Sequence, residues 1–321
     1  MRIRVFEAFS GYGSQSMALR NIGVEYEVVA ISEIDKYALK AYESIHGEVN
    51  NLGDISKIDI ENIPEHDLFT YSFPCTDVSI AGKQEGLVKG QTRSGLLYEC
   101  EKIIEHCKPK YLLLENVKNL VGKKFKSQFD KWLEYLEELG YTNYWQVLNA
   151  KDFNIPQNRE RIFVISILGE HKLYEFPKRF NLTKHIEDIL EDDVDEKYYV
   201  DKEWKFVEEK MKEGINVITR EEFEKNKIIC ERRYDEGIRY FKNNICGTLR
   251  TIDACGDKRV IESYRIRKIT PRECFRLMGL NEENIDKIQN TGISNTQQYK
   301  MAGNSIVIQV LEEIFRNLFL K

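Results

Sequence analysis

The stretch that decides the fold is Ile3-Arg-Val-Phe-Glu-Ala-Phe-Ser-Gly-Tyr-Gly-Ser-Gln15, close to the start of the 321-residue chain. Residues 3–9 have the character of a buried strand, and a helix is predicted from Ser14 to Asn21. Between them, Gly11 and Gly13 allow the backbone to turn tightly and to approach a ligand. The third glycine of a dinucleotide fingerprint is missing, so an ordinary strand-to-helix turn remains the alternative.

Strand and helix patterns continue to alternate beyond this turn. Further strands are predicted at 27–31, 68–73, 111–114, 144–148 and 161–168, and further helices at 35–45, 94–107 and 125–139. This alternation predicts an α/β fold with a mostly parallel sheet and helices on both of its faces. From 171 to about 255 the chain is highly charged and has no clear period, which predicts a smaller, irregular second domain. Residues 304–319 are apolar enough to return to the main core as a strand or a helix.

Composition narrows the class of protein. Hydrophobic residues make up 42% of the chain and charged residues 31%, values that are typical of a folded protein. We see no apolar run of membrane-spanning length and no signal-peptide layout at the N-terminus, so we expect no membrane partner. The seven cysteines are scattered without a C-x-x-C pair, which argues against a metal site and favours reduced thiols in a cytosol.

Charge is distributed unevenly along the chain. The net charge of −5 speaks mildly against a nucleic-acid partner. Residues 258–276, however, contain seven basic residues and two acidic ones, a local net charge of +5. A solvated surface explains such a basic stripe as readily as a series of phosphate contacts does. Composition alone leaves both interpretations open.

Acidic residues follow the second predicted strand and a later glycine. Glu33 lies twenty residues after Gly13, where a carboxylate can accept hydrogen bonds from ribose hydroxyls. Asp54, directly after Gly53, can meet an adenine amino group. Together with the glycine turn, these residues predict a cofactor that contains a nucleoside, without saying which one.

A cysteine follows a third strand, in Ser72-Phe-Pro-Cys-Thr76. A lone cysteine is commonly structural, but Cys75 comes at the carboxyl end of a strand, where ligands gather in open parallel sheets. A reactive thiolate needs an electropositive and partly open setting. The loop that follows, 81–95, has four glycines and several basic residues, as a mobile lid would.

A glutamate and two arginines complete the polar groups near strand ends. Glu115, in Leu114-Glu-Asn-Val117, either caps the next helix or hydrogen-bonds to an electron-poor ring and thereby assists addition of the cysteine. Arg159 and Arg161 flank Glu160, so they share one face if the segment is extended. Such arginines are usually solvated, but at the rim of a nucleotide cleft they would suit contacts to phosphates and bases.

Taken in order, these segments resemble the cytosine-5 DNA methyltransferases of bacteria and phages. The resemblance covers the chain except residues near 175–245, and Pro-Cys, Glu-Asn-Val and Gln-x-Arg-x-Arg are together highly specific for it. The matching segments are 9–14, Glu33, 53–54, 74–75, 115–117, 157–161, 267–279 and 299–306. Two positions depart from the pattern, since Thr76 replaces a common glutamine and Ser14 a common third glycine.

The resemblance implies an S-adenosylmethionine-dependent methyltransferase with a Rossmann-like sheet and a smaller target-recognition domain. It implies that residues 1–172 form the catalytic and cofactor-binding domain, 173–295 the target-recognition domain, and 296–321 a C-terminal segment that returns to the catalytic domain. A cytosine would be flipped out of duplex DNA. Its carbon 5 would then receive the methyl group of S-adenosylmethionine, which leaves S-adenosylhomocysteine as the product.

The resemblance also implies roles for individual residues. Cys75 would add to carbon 6 of the cytosine, and Glu115 would stabilise the ring. Arg161 would contact the flipped base or support Cys75, and Arg159 would contact a phosphate. Cofactor-binding residues would surround the glycine turn and the strand ends: Phe9, Gly11, Tyr12, Gly13, Glu33, Ile34, Asp54, Ile55, Pro74, Asn304 and Ser305. DNA-binding residues would lie in the lid, the arginine pair, a Thr-Leu signature and the basic stripe: Ser79, Lys83, Arg159, Thr248, Arg250, Arg267 and Arg272.

Partners and alternatives follow from the same resemblance. We expect a monomer that acts on double-stranded DNA in the cytoplasm of a bacterial or phage-infected cell, as part of a restriction-modification system with a separate endonuclease. One alternative is a transfer-RNA cytosine-5 methyltransferase on the same scaffold, but residues 171–265 lack a signature of that branch. A catalytically silent DNA-binding protein is another, against which the intact Cys75, Glu115, Arg159 and Arg161 argue. A Rossmann dehydrogenase would require the full G-x-G-x-x-G.

Overall fold

Strand β1 (Ile3–Ala8) lies within a six-stranded sheet in the computed structural model of the protein. The structure describes residues 2–74, 93–200, 227–233, 237–240, 245–250, 258–262 and 265–321. The chain divides into two compact units: unit 1 comprises Met1–Asn149, Glu160–Lys178 and Ile308–Lys321, and unit 2 comprises Ala150–Arg159 and Arg179–Val307. Within the described ranges, no helix is both long and apolar enough to cross a bilayer.

Unit 1 contains the sheet and the glycine turn. Its strands are β1, β2 (Tyr26–Ser32), β3 (Leu68–Tyr71), β4 (Tyr111–Val117), β5 (Tyr141–Asn149) and β7 (Glu160–Leu168). Its helices are α1 (Ser14–Asn21), α2 (Lys36–His46), α3 (Leu97–Cys107), α4 (Lys126–Glu138) and α8 (Ile308–Phe319). The predicted strands and helices of the first half are therefore present, each end within three residues of its predicted position.

The strand order in the sheet is β2-β1-β3-β4-β7-β5. Strands β2, β1, β3 and β4 are parallel to one another, whereas β7 runs antiparallel to both β4 and β5. The prediction of a mostly parallel sheet is confirmed, with an antiparallel edge that the sequence did not indicate. Because parallel strands end at the same edge, the glycine turn, Glu33, Pro74 and the end of β4 are brought to one side of the sheet.

Helices cover both faces of this sheet, as predicted. Side chains alternate across β1. Phe6 and Ala8 share one hydrophobic cluster with Ile103 of α3 and Trp132 of α4. Glu7 points to the opposite face, where it accepts a hydrogen bond from Ser16 of α1.

The C-terminal apolar segment forms α8, which contacts α1 in unit 1. Leu311, Ile314 and Phe315 are buried, and Asn21 at the end of α1 donates to Glu312 at 2.7 Å. This segment was predicted to be a strand or a helix that returns to the main core. The structure makes it a helix that begins at Ile308.

The described residues of unit 2 form a small antiparallel sheet, a short parallel strand pair and three helices. Its strands are β6 (Gln157–Asn158), β8 (Ile228–Arg233), β9 (Gly237–Tyr240), β10 (Cys246–Gly247), β11 (Lys258–Glu262) and β12 (Arg265–Lys268), and its helices are α5 (Pro271–Leu277), α6 (Glu282–Asn290) and α7 (Asn295–Asn304). Four strands pair antiparallel in the order β12-β11-β8-β9, and β6 pairs parallel with β10. At the start of α5, Thr270 and Glu273 form a capping box that fixes the first turn.

The boundaries of the compact units differ from the predicted domain boundaries. Residues 150–159 group with unit 2, although they fall inside the predicted catalytic domain 1–172. The return to unit 1 begins at Ile308 rather than at residue 296. The functional assignment of the three predicted parts remains a prediction.

Candidate active site

The turn between β1 and α1 has an open side and a supported side. Gly11 has a φ of +58°, and a Cβ built on it meets no described atom within 4 Å. Gly13 has a φ of +80°, and its Cβ would come within 2.5 Å of Nε2 of His46 and 2.7 Å of Cε2 of Tyr42. Both glycines are therefore required by the left-handed backbone. At Gly13 the turn rests directly on α2, whereas at Gly11 bare backbone faces open space.

Glu33 connects the end of β2 to this turn. Its Oε2 accepts from the main-chain N–H of Gly11 at 2.9 Å, and its Oε1 accepts from Ile34 and Asp35 at 2.9 and 2.8 Å. Burial raises the pKa of Glu33, and this effect outweighs the three N–H groups, which lower it. A carboxylate with about four acceptor positions still has capacity for hydroxyl donors after three N–H groups are bound.

Apolar and acidic groups flank Glu33. Ile34 exposes 70% of its surface and directly follows Glu33 in the chain. Phe9 has a φ of +56° and packs partly against the core, while the Tyr12 side chain is buried. The predicted contact of Tyr12 with a cofactor is therefore not supported by its exposure. An exposed apolar side chain beside a carboxylate fits a nucleoside, whose base is flat and whose sugar carries hydroxyls.

Asp54 and Ile55 have separate structural roles. Asp54 caps a short 3-10 helix, accepting from the N–H of Ser56 at 3.1 Å and from its hydroxyl at 2.8 Å. The Ser56 hydroxyl contributes most to lowering the pKa of Asp54, so this carboxyl is held ionised. Ile55 is buried in the core, and its predicted contact with a cofactor stays a prediction.

The predicted nucleophile, Cys75, lies outside the described residues, as do Ser79, Lys83 and most of the predicted lid. The chain is described up to Pro74. Its approach to Cys75 is fixed by Asn116, whose Nδ2 donates to the main-chain carbonyl of Phe73 at 3.1 Å. Asn116 is buried, so this hydrogen bond ties the segment before Cys75 to β4.

Glu115 and Arg161 form an ion pair at the end of β4. Glu115 was predicted to follow a strand, but β4 continues through Val117 because its backbone pairs with β7 as far as Val117 opposite Arg161. The guanidinium Nε of Arg161 lies 3.2 Å from Oε1 of Glu115, and both side chains are largely buried. The structure thus brings Arg161 to Glu115, whereas its predicted contact with the flipped base or support of Cys75 stays a prediction. The guanidinium fixes the orientation of the carboxylate.

Arg159 does not have the surroundings of a phosphate-contacting residue. Its side chain is buried, and it donates to the carbonyls of Leu249 at 3.1 Å, Gly303 at 3.0 Å and Ser305 at 2.7 Å. These surroundings do not support the predicted phosphate contact of Arg159, because carbonyls from distant parts of unit 2 engage its donors; that contact stays a prediction. In unit 2, Arg159 holds the end of α7 against the Thr-Leu segment.

The same short segment of unit 2 anchors the predicted Thr-Leu signature on its other side. The hydroxyl of Thr248 donates to the carbonyl of Asn158 at 2.7 Å, and the N–H of Leu249 donates to Oε1 of Gln157 at 3.3 Å. Gln157 in turn donates to the carbonyl of Leu277 at 2.9 Å. Residues 157–159, which include the Gln-x-Arg motif, therefore hold residues 248–249 in place by hydrogen bonds within unit 2.

Most of the described basic stripe is engaged inside unit 2. Arg267 is fully buried, donating to Glu273 at 2.8 and 2.9 Å and to Glu262 at 3.2 Å. Arg272 pairs with Glu282 at 2.6 Å and also donates to Gln289. The predicted DNA contacts of these two arginines are not supported, because carboxylates of the protein already occupy their donors. Lys258 is buried as well, 3.3 Å from Glu231.

Three other residues predicted to bind DNA or the cofactor, Arg250, Asn304 and Ser305, are at least partly exposed. Arg250 pairs with the buried Glu231, and its side chain is 39% accessible, so it reaches the surface of unit 2. Asn304 ends α7 with an exposed side chain, and Ser305 is half-buried with its hydroxyl on the carbonyl of Ala302. The sequence does not by itself distinguish such positions from those of Arg267 and Arg272.

Sequence reasoning missed two functional candidates in unit 1. Asn116 lies in the Glu-Asn-Val motif, in which the sequence indicated a role only for Glu115. The hydrogen bond from Asn116 to the carbonyl of Phe73 shows that Asn116 positions the segment before Cys75. Glu7 lies in β1 and is fully buried, with a pKa raised by burial to about 7. The sequence could have indicated Glu7, because a glutamate inside an otherwise apolar, buried strand requires a polar partner.

A mostly parallel sheet with a glycine turn, a carboxylate after the second strand and a Glu–Arg pair next to the asparagine that binds the Phe73 carbonyl is the arrangement of a Rossmann-like methyltransferase. A model of the C-5 cytosine-specific DNA methylases matches residues 3–320. The chain is 41% identical to a type II methyltransferase of Lactococcus lactis subsp. cremoris, covering 99% of both chains. It is 32% identical to an orphan methyltransferase of Bacillus phage SPbeta, covering 99% of this chain and 97% of that one.

The chain belongs to the C-5 cytosine-specific DNA methylases. The solved structure of a methyltransferase from Entamoeba histolytica, at 18% identity, superposes with a TM-score of 0.74 over 100% of this chain and 99% of that one, which bears on the fold alone. The predicted family and fold class are confirmed. DNA is the substrate of this family and S-adenosylmethionine its methyl donor, so these predictions are confirmed too.

Proposed function

We propose that this protein is a sequence-specific DNA (cytosine-5-)-methyltransferase that uses Cys75 as its nucleophile. The observation that carries the proposal is the arrangement at the end of β4. There Glu115 is paired with Arg161 at 3.2 Å, and the adjacent Asn116 holds the carbonyl of Phe73, two residues before Cys75. A carboxylate fixed by a guanidinium next to a tethered Pro-Cys segment is suited to addition of a thiolate to a pyrimidine.

The chemistry assigned to these residues is covalent catalysis. The Cys75 thiolate forms a bond to carbon 6 of a flipped cytosine, and Glu115 stabilises the ring at N3 and the exocyclic amine. Carbon 5 thereby gains carbanion character and becomes methylated. Loss of the proton from carbon 5 and of the Cys75 sulfur from carbon 6 then restores aromaticity. Arg161 keeps Glu115 in position throughout.

S-adenosylmethionine, when bound, supplies an electrophilic methyl group. The open backbone at Gly11, the carboxylate of Glu33 and the exposed side chain of Ile34 fit its nucleoside, and Asp54 lies on a nearby loop of the same unit. Glu33 would accept hydrogen bonds from the ribose hydroxyls, and Ile34 would cover one face of the adenine. Gly13 contributes by keeping the turn against α2.

We assign sequence recognition to unit 2, in which Arg250 is the partly exposed arginine next to the Thr248–Leu249 segment. Arginine reads guanine in the major groove through paired donors. We further propose that the protein acts as a monomer. The relatives include both type II and orphan methyltransferases. A separate endonuclease that accompanies this methyltransferase is also part of the proposal.

The test of the reaction begins with a random duplex library, because it examines base, position and sequence context together. The full chain is incubated with the library and S-adenosylmethionine, and the DNA is sequenced after bisulfite conversion. We expect protection of one cytosine within a defined sequence context. Protection of no cytosine, or of cytosines without any common context, would contradict the proposal.

The test of the nucleophile uses a duplex that carries 5-fluorocytosine at the identified position. The fluorine blocks loss of the substituent from carbon 5, so we expect a covalent protein–DNA complex that survives denaturing electrophoresis. Cys75→Ala should form no such complex and transfer no label, while it binds S-adenosylhomocysteine with unchanged affinity. Cys107→Ala, which removes a half-buried thiol at the end of α3, is the matched control and should behave as wild type.

A further inference from the structure

The side chain of Asn51 joins the two segments that carry Glu33 and Asp54. Its Oδ1 accepts hydrogen bonds from the main-chain N–H of Glu33 at 3.1 Å and of Gly53 at 3.0 Å. Its Nδ2 donates to the main-chain carbonyl of Glu33 at 3.0 Å. Because two N–H groups face the same atom, that atom must be the oxygen, and the orientation of the amide is unambiguous.

Backbone contacts place Asn51 where it can do this. The N–H of Ile31 donates to the carbonyl of Asn50 at 2.9 Å, and the N–H of Leu52 donates to the carbonyl of Ile31 at 2.8 Å. Residues 50–52 therefore run beside the last residues of β2. The hydroxyl of Ser32 also donates to the carbonyl of Gly53 at 2.7 Å. Two side chains, Asn51 and Ser32, thus cross-link the end of β2 to the following loop.

Asn51 holds Glu33 at both polar groups of its main chain. Once the N–H and the carbonyl of Glu33 are fixed, the carboxylate has only its own side-chain torsions left, and Gly11, Ile34 and Asp35 fix those. A ligand that binds such a carboxylate need not order it first, and pre-organisation of this kind increases affinity. A planar amide that accepts and donates at this reach is available only from asparagine at this position, since aspartate cannot donate.

We propose that Asn51 is a positioning residue of the cofactor site, which acts by holding the main chain of Glu33 and does not touch the ligand. The inference rests on the proposed function, in which Glu33 binds the ribose hydroxyls of S-adenosylmethionine. It adds to that function a residue that lies outside the glycine turn and outside both acidic positions. Asn51 sets the affinity for the methyl donor and leaves the methyl-transfer step to other residues.

The experiment is a double-mutant cycle on the affinity for S-adenosylhomocysteine, measured by calorimetry on the full chain. Glu33→Ala removes charge-assisted hydrogen bonds and should weaken binding about 100-fold, and Asn51→Ala about tenfold. Since Asn51 acts through Glu33, the double variant should bind about as weakly as Glu33→Ala alone. Independent roles would instead multiply to about 1,000-fold. At saturating S-adenosylmethionine, kcat of Asn51→Ala should stay within about twofold of wild type.

The neighbouring Asn50→Ala is the matched control, because Asn50 is exposed and its side chain makes one long hydrogen bond, 3.5 Å, to the carbonyl of Val29. It should leave the affinity unchanged. Asn51→Asp keeps the acceptor for both N–H groups, and it replaces the alanine variant in the cycle if that variant is too unstable to titrate. Unchanged binding by Glu33→Ala would overturn the proposed cofactor site. A large effect of Glu33→Ala combined with multiplicative or absent effects at Asn51 would overturn the role of Asn51 alone.

Discussion

Replacing Glu7 by glutamine should make the stability of unit 1 less dependent on pH. Glu7 is fully buried in β1, where its Oε1 accepts a hydrogen bond from the hydroxyl of Ser16 at 2.7 Å. Burial raises the pKa of Glu7 from 4.5 to about 7, while Ser16 and Tyr42 lower it by smaller amounts. The hydroxyl of Tyr42 lies 3.4 Å from that of Ser16, so a hydroxyl pair, rather than a cation, faces the carboxyl.

The sign of the effect follows from proton binding. Between the unfolded pKa of 4.5 and the folded pKa of about 7, the folded state binds more protons, so stability falls as pH rises through this window. Above it the loss is complete, and below it the loss is absent. With about 1.4 kcal/mol for each tenfold change, ionisation of Glu7 costs about 3 kcal/mol at pH 8 and under about 1 kcal/mol at pH 5.

The assay compares Glu7→Gln with wild type by equilibrium urea unfolding at pH 5 and pH 8. It follows tryptophan fluorescence, to which Trp132 and Trp145 of unit 1 contribute. The stability of the variant relative to wild type should increase by about 2.5 kcal/mol from pH 5 to pH 8. Groups common to both proteins, such as the buried His66 whose pKa is lowered by burial, cancel in this difference.

A companion variant separates ionisation of Glu7 from a general loss of packing. Ser16→Ala removes the hydroxyl that favours the ionised carboxyl, so its stability should fall more steeply with pH than that of wild type. A relative stability of Glu7→Gln that stays constant within about 0.5 kcal/mol between the two pH values would refute the reasoning, because no proton would then be linked to folding at this site.

Two further substitutions test the support of the candidate site. Gly13→Ala should lower the free energy of unfolding by about 3 kcal/mol, because it adds a contact of 2.5 Å with His46 to the cost of a left-handed alanine. Gly23 has a similar φ, and a Cβ there meets no described atom, so Gly23→Ala should lower it by only about 1 kcal/mol in the same urea assay. Asn116→Ala frees the carbonyl of Phe73 and should lower kcat at least about tenfold, with unchanged affinity for S-adenosylhomocysteine. The control Asn143→Ala frees the carbonyl of Leu133 and should leave kcat unaltered. Equal kcat values for the two variants would contradict the role of Asn116.

The first half of the fold could be predicted because hydrophobic period and glycine placement are local signals. Helix α1 begins and ends at the predicted residues, Ser14 and Asn21. The end of β4 could not be predicted in the same way. Its apolar run stops at Leu114, but backbone pairing with β7 is indifferent to side-chain polarity and continues to Val117. The antiparallel edge of the sheet depends on the same non-local pairing.

Local charge was a poor guide to the surface of unit 2. Residues 258–276 look like a basic stripe, yet Arg267 is neutralised by Glu262 and Glu273, and Lys258 by Glu231. The sequence shows two acidic residues inside the stripe but gives no information on which side chains are buried with them. A fully buried guanidinium without carboxylates would be far more costly than the paired one, so the acidic partners accompany burial.

Arg159 illustrates the same limit at a predicted functional position. Its motif suggested an exposed arginine that is ready for a phosphate, but its acceptors are carbonyls 90 and 144 to 146 residues further along the chain. Main-chain carbonyls leave no trace in the sequence, because every residue has one. The residue type was therefore predictable as important, whereas its partners were not.

Unit 1 stabilises three acidic side chains by three different kinds of partner, and the partner decides what each carboxyl can do. Glu33 is surrounded by main-chain N–H groups, which supply partial charge without a competing cation, so it remains an acceptor for further hydroxyl donors. Glu115 is paired with Arg161, so its orientation is fixed. Glu7 faces hydroxyls that only partly offset burial, and it takes up a proton near neutrality. A carboxyl given another of these partners would change its capacity to accept hydrogen bonds, its orientation or its pKa. The residues around each carboxyl therefore determine its chemistry as much as the carboxyl itself does.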